Sequence, residues 1–424
     1  MDDVVTRSAV LGAELPPRGL EGPLSHAQIA LADTAHRFAH SVMRPSAEKL
    51  DRLAPGAVVA AGSPFWTVQQ QFAAFGIDAQ TLHELPPQEG AELQSILFEE
   101  LGWGDAGLAV SFGAGMLPAT VALLLNRPDI AQRWRGKGLG AWGITEPDHG
   151  TDMLDYDGAL AAAGSASGRP NCVATAVGDG LVIRGQKSAW VSNGPVATHC
   201  ILFCAYEEGE AVRGGCVLMV PLDAQGVSRG QPLDKLGQRA LPQGEIYFDN
   251  VCVGRDCLLA GADDYTRAVY LTLAHANAGM GAAFVGVARA AYEHALAYAH
   301  QRRQGGAPLI RHQNVRYRLF HMFRKIEAAR ALNRHAMRYN ALHPERPALQ
   351  GSIASKITST QTAFEVASDA LQIFGGAGLA REFPLEKLLR DARAALIEDG
   401  CNEALAIKGG ACLMDPGLLT EIRS

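Results

Sequence analysis

The pattern of the chain changes at the stretch Trp142-Gly-Ile-Thr-Glu-Pro-Asp-His-Gly-Thr-Asp152, from helical before it to extended after it. Glu146-Pro147 and Gly150 predict a turn there, because proline and glycine interrupt regular structure. The turn exposes backbone N–H groups together with the hydroxyls of Thr145 and Thr151. A polar turn before a β domain is usually only a turn, so the stretch gains a function only in combination with other motifs.

Helical patterns dominate the chain before this stretch. Residues 1–24 are punctuated by proline and glycine and predict a flexible arm. Residues 25–138 predict an N-terminal α domain. It begins with Ser25 and Gln28, which have the spacing of a capping box.

An uncharged stretch at residues 106–126 is long enough to span a bilayer. It contains glycines and Pro118, and it lacks flanking lysines and aromatic anchors. We therefore predict a buried helix pair that is broken at residues 113–118, and no membrane span.

Residues 139–255 predict a middle β domain. Short β-branched runs between turn residues predict strands at 180–184, 199–205, 216–221 and 244–248. The segment 156–171 is rich in Ala, Gly and Ser and is interpreted as a surface excursion. Residues 235–239 are interpreted as a loop that leads into an edge strand at 245–253.

Residues 256–424 predict a C-terminal helical domain, because long segments with apolar residues at helical spacing contain few helix breakers. Helices are expected at residues 265–303, 312–342, 349–374, 384–396 and 402–414. Long helices joined by short loops predict a bundle. Neither a G-x-G-x-x-G motif after a strand nor a P-loop occurs, which argues against a Rossmann dinucleotide site and an NTPase.

The composition excludes several function classes. The 424 residues carry 38 Lys+Arg against 44 Asp+Glu, and there are no basic runs, so a nucleic-acid or anionic-membrane partner is not expected. A hydrophobic content of 48% supports a large core and excludes a mainly disordered chain. The eight cysteines form no Cys-x-x-Cys pair and no zinc pattern. The acidic N-terminus has no apolar h-region, so a signal peptide is not expected. We expect reduced thiols, no metal site and a cytoplasmic protein.

Two further motifs suit a flat ligand that carries phosphate. In Gln186-Lys-Ser-Ala-Trp-Val-Ser-Asn-Gly194, the ring of Trp190 lies beside the hydroxyl of Ser192 at a strand end. Flat aromatic ligands need such a stacking face and a few fixed donors. In Gln372-Ile-Phe-Gly-Gly-Ala-Gly378, three glycines between helices allow close approach of a phosphate or sugar. Read alone, the first is also compatible with a core tryptophan, and the second is a weak signal.

In this order and spacing the motifs resemble those of the acyl-CoA dehydrogenase family, over residues 25–420. The resemblance rests on residues 145–152, 190–194, 288–304 and 372–400. It implies an α+β multidomain fold with an N-terminal α-helical bundle, a middle β-barrel-like domain and a C-terminal four-helix-type bundle. It also implies FAD, an acyl thioester of CoA or a carrier protein, an electron-accepting flavoprotein and a place in fatty acid metabolism. A homo-oligomer, dimer or tetramer and usually a homotetramer, is implied as well.

The resemblance also implies roles for individual residues. Thr145 and Ser192 are expected to hydrogen-bond the flavin ring, with Trp190 beside it. Arg302 is expected to contact the FAD pyrophosphate of a neighbouring subunit. The cofactor is expected to be bound by Trp142, Thr145, Trp190, Ser192, Arg302, Gln313, Gln372, Gly375 and Gly376. The substrate is expected to contact Thr151, Asn277 and Gly400.

The chain departs from the family pattern at the catalytic base. The family has a glutamate directly before Gly-Thr, whereas residue count puts Asp399 at this position. Glu398 is one residue early and is expected to point elsewhere. In some members the base lies in the first helix of the C-terminal bundle, where this chain has Ala276, followed by Asn277 in place of an arginine. The only titratable residue nearby is His275. A further difference is Gly305, which replaces an aromatic residue.

These features predict α,β-dehydrogenation of an acyl thioester, in which Asp399 removes the α-proton and the β-hydride passes to flavin N5. The carboxylate of aspartate is set back by about 1.5 Å relative to that of glutamate, so the surrounding site must be reshaped if Asp399 is to act. Two alternatives remain: a flavin-dependent oxidase or oxygenase on the same fold, and a non-catalytic flavoprotein subunit that partners an active paralogue.

Overall fold

The computed structural model describes residues 24–154, 170–209 and 211–414. Residues 1–23 of the predicted arm, 156–169 of the predicted excursion and 415–424 of the predicted C-terminal domain lie outside the described residues. The mixed α+β fold, with a sheet in the middle and a helical C-terminal region, is confirmed. The domain limits given above stay a prediction.

Eight α-helices precede the sheet within the described residues. They are α1 (His26–Phe38), α2 (Arg44–Leu50), α3 (Pro55–Val58), α4 (Pro64–Ala73), α5 (Ala79–Glu84), α6 (Pro87–Gly104), α7 (Ala106–Leu124) and α8 (Pro128–Trp134). The capping box predicted at the start of α1 is confirmed. Ser25 Oγ accepts a hydrogen bond from the N–H of Gln28 at 3.2 Å, and Gln28 Oε1 accepts one from the N–H of Ser25 at 2.7 Å.

The break predicted near Pro118 is wrong, because α7 runs without interruption from Ala106 to Leu124. A proline inside a helix costs about 3 kcal/mol, since it removes one backbone hydrogen bond. Packing outweighs that cost here. Strand β1 (Gly140–Gly143) passes so close to α7 that a Cβ on Gly140 would lie 2.7 Å from both Gly115 O and Pro118 Cγ.

Helices α7 and α9 (Tyr265–Gln301) are both long and apolar enough to cross a membrane. In their most apolar 18-residue windows, 56% of α7 and 83% of α9 is buried inside the protein. Core helices of globular proteins pass the same test of length and composition, and both helices pack against other helices of the chain.

The strands form a single mixed sheet in the described residues, beside a short hairpin. Besides β1, they are β2 (Val173–Val177), β3 (Gly180–Lys187), β4 (His199–Glu208), β5 (Ala211–Pro221), β6 (Val227–Arg229), β7 (Ile246–Gly254) and β8 (Leu258–Ala260). Their order is β6-β7-β3-β2-β4-β5-β8, with β1 parallel to β4. The predicted edge strand, β7, is therefore not an edge over its first residues, because β6 covers it there.

The C-terminal region consists of long helices, joined after α9 by the hairpin β9 (Arg303–Gln304) and β10 (Ala307–Pro308). The helices that follow are α10 (Gln313–Leu342), α11 (Leu349–Phe374), α12 (Leu385–Ala394) and α13 (Asn402–Cys412). Each agrees with its predicted segment to within two residues at every end. Short loops join them, which is typical of a bundle.

Helices α6 and α9 join the N-terminal and C-terminal helices into one core. Their backbones touch, since a Cβ on Gly102 would lie 1.8 Å from Ala283 O, and one on Gly286 would lie 1.9 Å from Glu99 O. Glu99 also forms a buried ion pair with Arg289 at 2.9 Å. This contact fixes α9, and with it one wall of the candidate site.

Candidate active site

Two carboxylates, Glu398 and Asp399, lie side by side in the short connection between α12 and α13. We call residues 398–401 the carboxylate loop. Asp399 is half-buried and has a φ of +50°, the left-handed conformation that non-glycine residues seldom adopt. Burial raises the pKa of Asp399 from 3.8 to about 6, and the positive charge of Lys356 opposes part of this rise.

Three other elements hold the backbone of the carboxylate loop. Asn277 of α9 donates from Nδ2 to Asp399 O at 3.2 Å. The ammonium of Lys356, on α11, donates to Gly400 O at 2.8 Å. Thr151 accepts, through Oγ1, a hydrogen bond from the backbone N–H of the next residue, Cys401, at 3.3 Å. The structure thus brings Asp399 together with the three residues predicted to contact substrate.

The Glu398 carboxylate has a different set of contacts. Its Oε2 accepts a hydrogen bond from Gln238 Nε2 at 2.6 Å, within the loop that precedes β7. Burial raises the pKa of Glu398 to about 7, while Lys235 of the same loop opposes the rise. Gln238 also donates from its backbone N–H to Asp391 of α12 at 2.5 Å. Glu398 therefore ties the carboxylate loop to the β domain.

His275 makes its side-chain contact with α6. Its Nε2 lies 3.3 Å from Gln94 Nε2. Burial lowers the pKa of His275 to about 4, so the imidazole is neutral near pH 7. Two residues further along α9, Asn277 turns toward the carboxylate loop instead.

The residues expected around a flavin ring lie at the ends of β1 and β3. Thr145 Oγ1 and Ser188 Oγ are 2.7 Å apart. Ser192 Oγ accepts a hydrogen bond from Gln243 Nε2 at 3.3 Å, and the same amide donates to Trp190 O at 3.2 Å. The Trp190 side chain is 61% exposed, so its ring is not a core tryptophan. These contacts fix the backbone while leaving the ring face open.

A second group of predicted cofactor residues lies at the C-terminal end of α11. Gln372, Gly375 and Gly376 are exposed there. Gly375 has a φ of +61°, which favours glycine, and a Cβ on Gly375 or Gly376 would meet no atom within 4 Å. The backbone is therefore open to a ligand at this turn.

Arg302 and Gln313 flank the β9–β10 hairpin, and both are exposed. The neighbouring Arg303 donates to Gly306 O within the hairpin. Within the described chain no hydrogen bond links Arg302, Gln313 or the end of α11 to Thr145, Trp190 or Ser192. That Arg302 and Gln313 reach the cofactor of a neighbouring subunit stays a prediction.

The side chains present fit FAD. Among the described residues, the indole N–H of Trp142 is buried and has no hydrogen-bond partner, and the side chain of Arg302 is exposed. The open glycine turn accommodates a sugar or phosphate, and the exposed Trp190 face suits a flat ring. A donor, a cation, an open backbone and an aromatic face are the groups that a flavin dinucleotide requires.

Sequence reasoning missed two buried lysines. Lys187 Nζ pairs with Glu146 Oε1 at 2.6 Å, and both side chains are fully buried. Glu146 also accepts a hydrogen bond from the N–H of Asn171, so it holds the turn in place. Lys356 could have been found by its position, because it falls on the buried face of α11 between Ile353 and Thr360.

Comparisons with known proteins agree with this architecture. The model of the acyl-CoA dehydrogenase middle domain matches residues 141–251, and that of the acyl-CoA dehydrogenase C-terminal domain matches residues 266–410. Benzylmalonyl-CoA dehydrogenase from Aromatoleum aromaticum is 30% identical over 395 residues, which cover 91% of this chain and 97% of that protein.

Two solved structures share the fold. A glutaryl-CoA dehydrogenase from Mycobacterium smegmatis in complex with FADH2 superposes with a TM-score of 0.76 at 20% identity, covering 94% of this chain and 98% of the other. The prolyl acyl carrier protein oxidase AnaB gives a TM-score of 0.73 at 19% identity, covering 92% and 100%. The predictions of family, of an oxidoreductase and of FAD are confirmed, and the chain belongs to the acyl-CoA dehydrogenase family, whose members are FAD-dependent oxidoreductases that act on CH–CH donors.

Proposed function

We propose that this protein dehydrogenates an acyl thioester between Cα and Cβ, with Asp399 as the base that removes the α-proton. The observation that carries the proposal is Asp399 itself: a carboxylate with a raised pKa, in a loop that three neighbouring elements hold in place. A carboxylate with a pKa of about 6 is mostly ionised at neutral pH, and it is a stronger base than an ordinary aspartate.

The contacts of the carboxylate loop support Asp399 as the base, because they hold its backbone. Asn277 reaches Asp399 O from α9. This contact, with those of Lys356 and Thr151, fixes the backbone that carries Asp399. The backbone N–H of Asp399 makes no hydrogen bond within the described residues, and it is available to the thioester carbonyl, where negative charge develops as the α-proton leaves.

FAD, when bound, supplies the acceptor for the β-hydride. We propose that Thr145, Ser192, Trp142 and Trp190 hold its ring system. Arg302 and Gln313 of another subunit would contact its phosphates, and Gln372, Gly375 and Gly376 its adenosine side. Thr151, Asn277 and Gly400 would line the thioester side of the site.

The remaining expectations belong to the same proposal. The substrate is a thioester of CoA or of a carrier protein, within fatty acid metabolism or a related pathway. An electron-accepting flavoprotein reoxidises the enzyme. The protein is a cytoplasmic homo-oligomer, dimer or tetramer, and its domains are divided at residues 24, 138 and 255.

A flavin-dependent oxidase or oxygenase is the second candidate function. The structural likeness to a prolyl acyl carrier protein oxidase favours it, as does the replacement of the family glutamate by Asp399. A non-catalytic flavoprotein subunit stays the third alternative.

The deciding experiment is an anaerobic titration of the purified holoenzyme with acyl-CoAs of different length and branching. A dehydrogenase loses the visible absorbance of its flavin with at least one thioester, and the product is the α,β-unsaturated thioester. An oxidase gives the same bleaching and then reoxidises rapidly with O₂, releasing hydrogen peroxide. If no CoA or carrier-protein thioester bleaches the flavin, the catalytic proposal fails and the non-catalytic alternative is favoured.

A further inference from the structure

Lys356 is a buried cation that the proposed reaction does not use. Its side chain is 0% exposed, and Nζ donates to two neutral oxygens, Gly400 O at 2.8 Å and Asn402 Oδ1 at 2.8 Å. Among the described residues, no carboxylate lies within ion-pair distance of Nζ. A buried ammonium that lacks an ion-pair partner is costly, and such groups concentrate at functional sites.

The hydrogen bonds of Lys356 connect α11 to the carboxylate loop and to the residue that follows it. Asn402 is the first residue of α13, and its Nδ2 donates to Thr360 of α11 at 3.1 Å. Asn402 also donates from its backbone N–H to Leu396 O at 2.9 Å. This hydrogen bond joins the two ends of the segment that contains the carboxylate loop. One ammonium therefore connects α11 to the residue after Asp399 and to the start of α13.

The backbone of Asp399 needs such support. A φ of +50° in a residue with a Cβ is unfavourable, and it persists only where the surroundings hold it. Asn277 holds the carbonyl of Asp399 itself, and Lys356 holds the following carbonyl. Without Lys356, the loop loses the contact that lies directly after the strained residue.

Lys356 also acts on Asp399 through its charge. Its positive charge opposes the rise in the pKa of Asp399, and burial in turn lowers the pKa of Lys356 to about 8. The other titratable groups that act on Lys356 are Glu398 and Cys401 in the carboxylate loop and Glu403 in α13. Lys235, in the loop before β7, acts on Glu398.

We propose that Lys356 is a positioning residue for Asp399, one that fixes the loop backbone and keeps the Asp399 carboxylate ionised when substrate enters. The inference rests on the proposed function of Asp399 as the base. It assigns to α11 an indirect part in the chemistry, through Asp399, in addition to its place in the core.

The test compares Lys356→Met, Lys356→Gln and Lys356→Arg in the full-length holoenzyme. The matched control is Lys325→Met, which also removes a lysine that contacts α11, through the Lys325–Glu365 ion pair at 2.6 Å. Two quantities are followed against pH. One is the anaerobic bleaching rate with an acyl-CoA substrate. The other is the charge-transfer absorbance of a bound thioester with sulfur in place of Cβ, which can lose its α-proton but has no β-hydride to transfer.

Both signals should disappear as the pH falls through the pKa of Asp399. In Lys356→Met and Lys356→Gln, the midpoint of this loss should move upward by roughly one pH unit, because an opposing charge has been removed. The bleaching rate above the midpoint should fall by about tenfold or more in Lys356→Met, since a misplaced base is slow. Lys356→Arg should keep the midpoint close to that of the wild type, and Lys325→Met should change neither quantity.

FAD content and melting temperature show which variants are folded. If Lys356→Met or Lys356→Gln retains FAD and shows the wild-type midpoint for both signals, the inference is overturned. Asp399→Asn, measured alongside, separates the two proposals. If Asp399→Asn still generates the charge-transfer band, Asp399 is not the base and the proposed function fails. If that variant loses the band while Lys356→Met behaves as the wild type, only the inference about Lys356 fails.

Discussion

Asp399 combines a left-handed backbone with a half-buried carboxylate, and its replacement by asparagine tests the role of that carboxylate alone. Asp399→Asn should keep FAD and ligand binding but slow flavin bleaching by at least about 100-fold, because an amide cannot accept the α-proton. Glu398→Gln is the control and should be far milder, since its amide can still bond to Gln238. Stopped-flow absorbance under nitrogen measures both. Rapid bleaching in Asp399→Asn would contradict the assignment and favour His275 or no base.

The raised pKa of Asp399 also predicts how stability depends on pH. The pKa of Asp399 in the folded protein, about 6, lies above the ordinary 3.8. The contribution of Asp399 to the free energy of unfolding is therefore fully present below pH 4. It is lost as the pH rises through about 6. The loss amounts to at most about 3 kcal/mol. Asp399→Asn should therefore unfold at higher denaturant concentration than the wild type at pH 7.5, and the two should converge near pH 4. A difference that stays constant between these pH values would contradict this account.

The candidate site can be predicted from the sequence where a residue type carries the chemistry. Thr151, Asn277, Asp399 and Gly400 were predicted from separate motifs through the family resemblance, and the structure brings them together. Lys356 was not predicted. Its place on the apolar face of α11 indicates that it is buried, but only the fold shows that its ammonium contacts the carboxylate loop.

At the scale of helices, the contact between α6 and α9 predicts a sharp difference between two glycines of α9. Gly286→Ala should destabilise the protein by at least about 2 kcal/mol, because the new Cβ would lie 1.9 Å from Glu99 O and 2.6 Å from Trp103 N, which are backbone atoms. Gly279→Ala is the matched control. A Cβ there meets nothing within 4 Å, so the helix should gain up to about 1 kcal/mol.

Thermal and chemical unfolding of both variants measure this difference. Equal melting temperatures for Gly286→Ala and Gly279→Ala would show that α6 and α9 can move apart without loss of stability. That result would contradict the packing described above.

Helix prediction succeeded where breakers are absent and failed where packing overrides them. The bounds of α11, Leu349–Phe374, were predicted at both ends, because Pro347 precedes the helix and Gly375 follows it. Pro118 led to a predicted break in α7 that does not exist. The reason lies outside the segment, in the close packing of Gly140, and no local pattern reveals a neighbour that is distant in sequence.

At the scale of the whole molecule, the two sets of cofactor residues predict that FAD binding depends on association of subunits. Arg302→Ala should weaken FAD binding by about 10- to 100-fold, since a charge-assisted hydrogen bond contributes about 1.5–3 kcal/mol. Arg303→Ala is the control, because Arg303 already bonds to its own hairpin at Gly306 O. Fluorescence titration of the apoprotein with FAD measures the change. A monomeric form that retains FAD with unchanged affinity would contradict the arrangement between subunits.

The chain exposes several large apolar side chains on its helical surface, which agrees with an associated state. Tyr317 and Phe320 are 69% and 62% exposed on α10, and Leu379, just beyond the glycine turn, is 70% exposed. Tyr317 and Phe320 are close to Gln313 in the sequence, and Leu379 is close to Gly375. Burial of such side chains favours association, and it would place the cofactor residues of α10 and α11 close to the interface.

The shared core of α6 and α9 has a consequence for how the protein is made. Glu99 and Arg289, which pair across it, are separated by 190 positions in the chain, and the whole sheet lies between them. At about 5–20 residues per second, a ribosome needs roughly 10–40 s to cover that distance. During that interval the early helices exist without the partner that completes their interior. Apolar surface is then exposed on the nascent chain, and this is the stage at which chaperone binding and aggregation compete with folding.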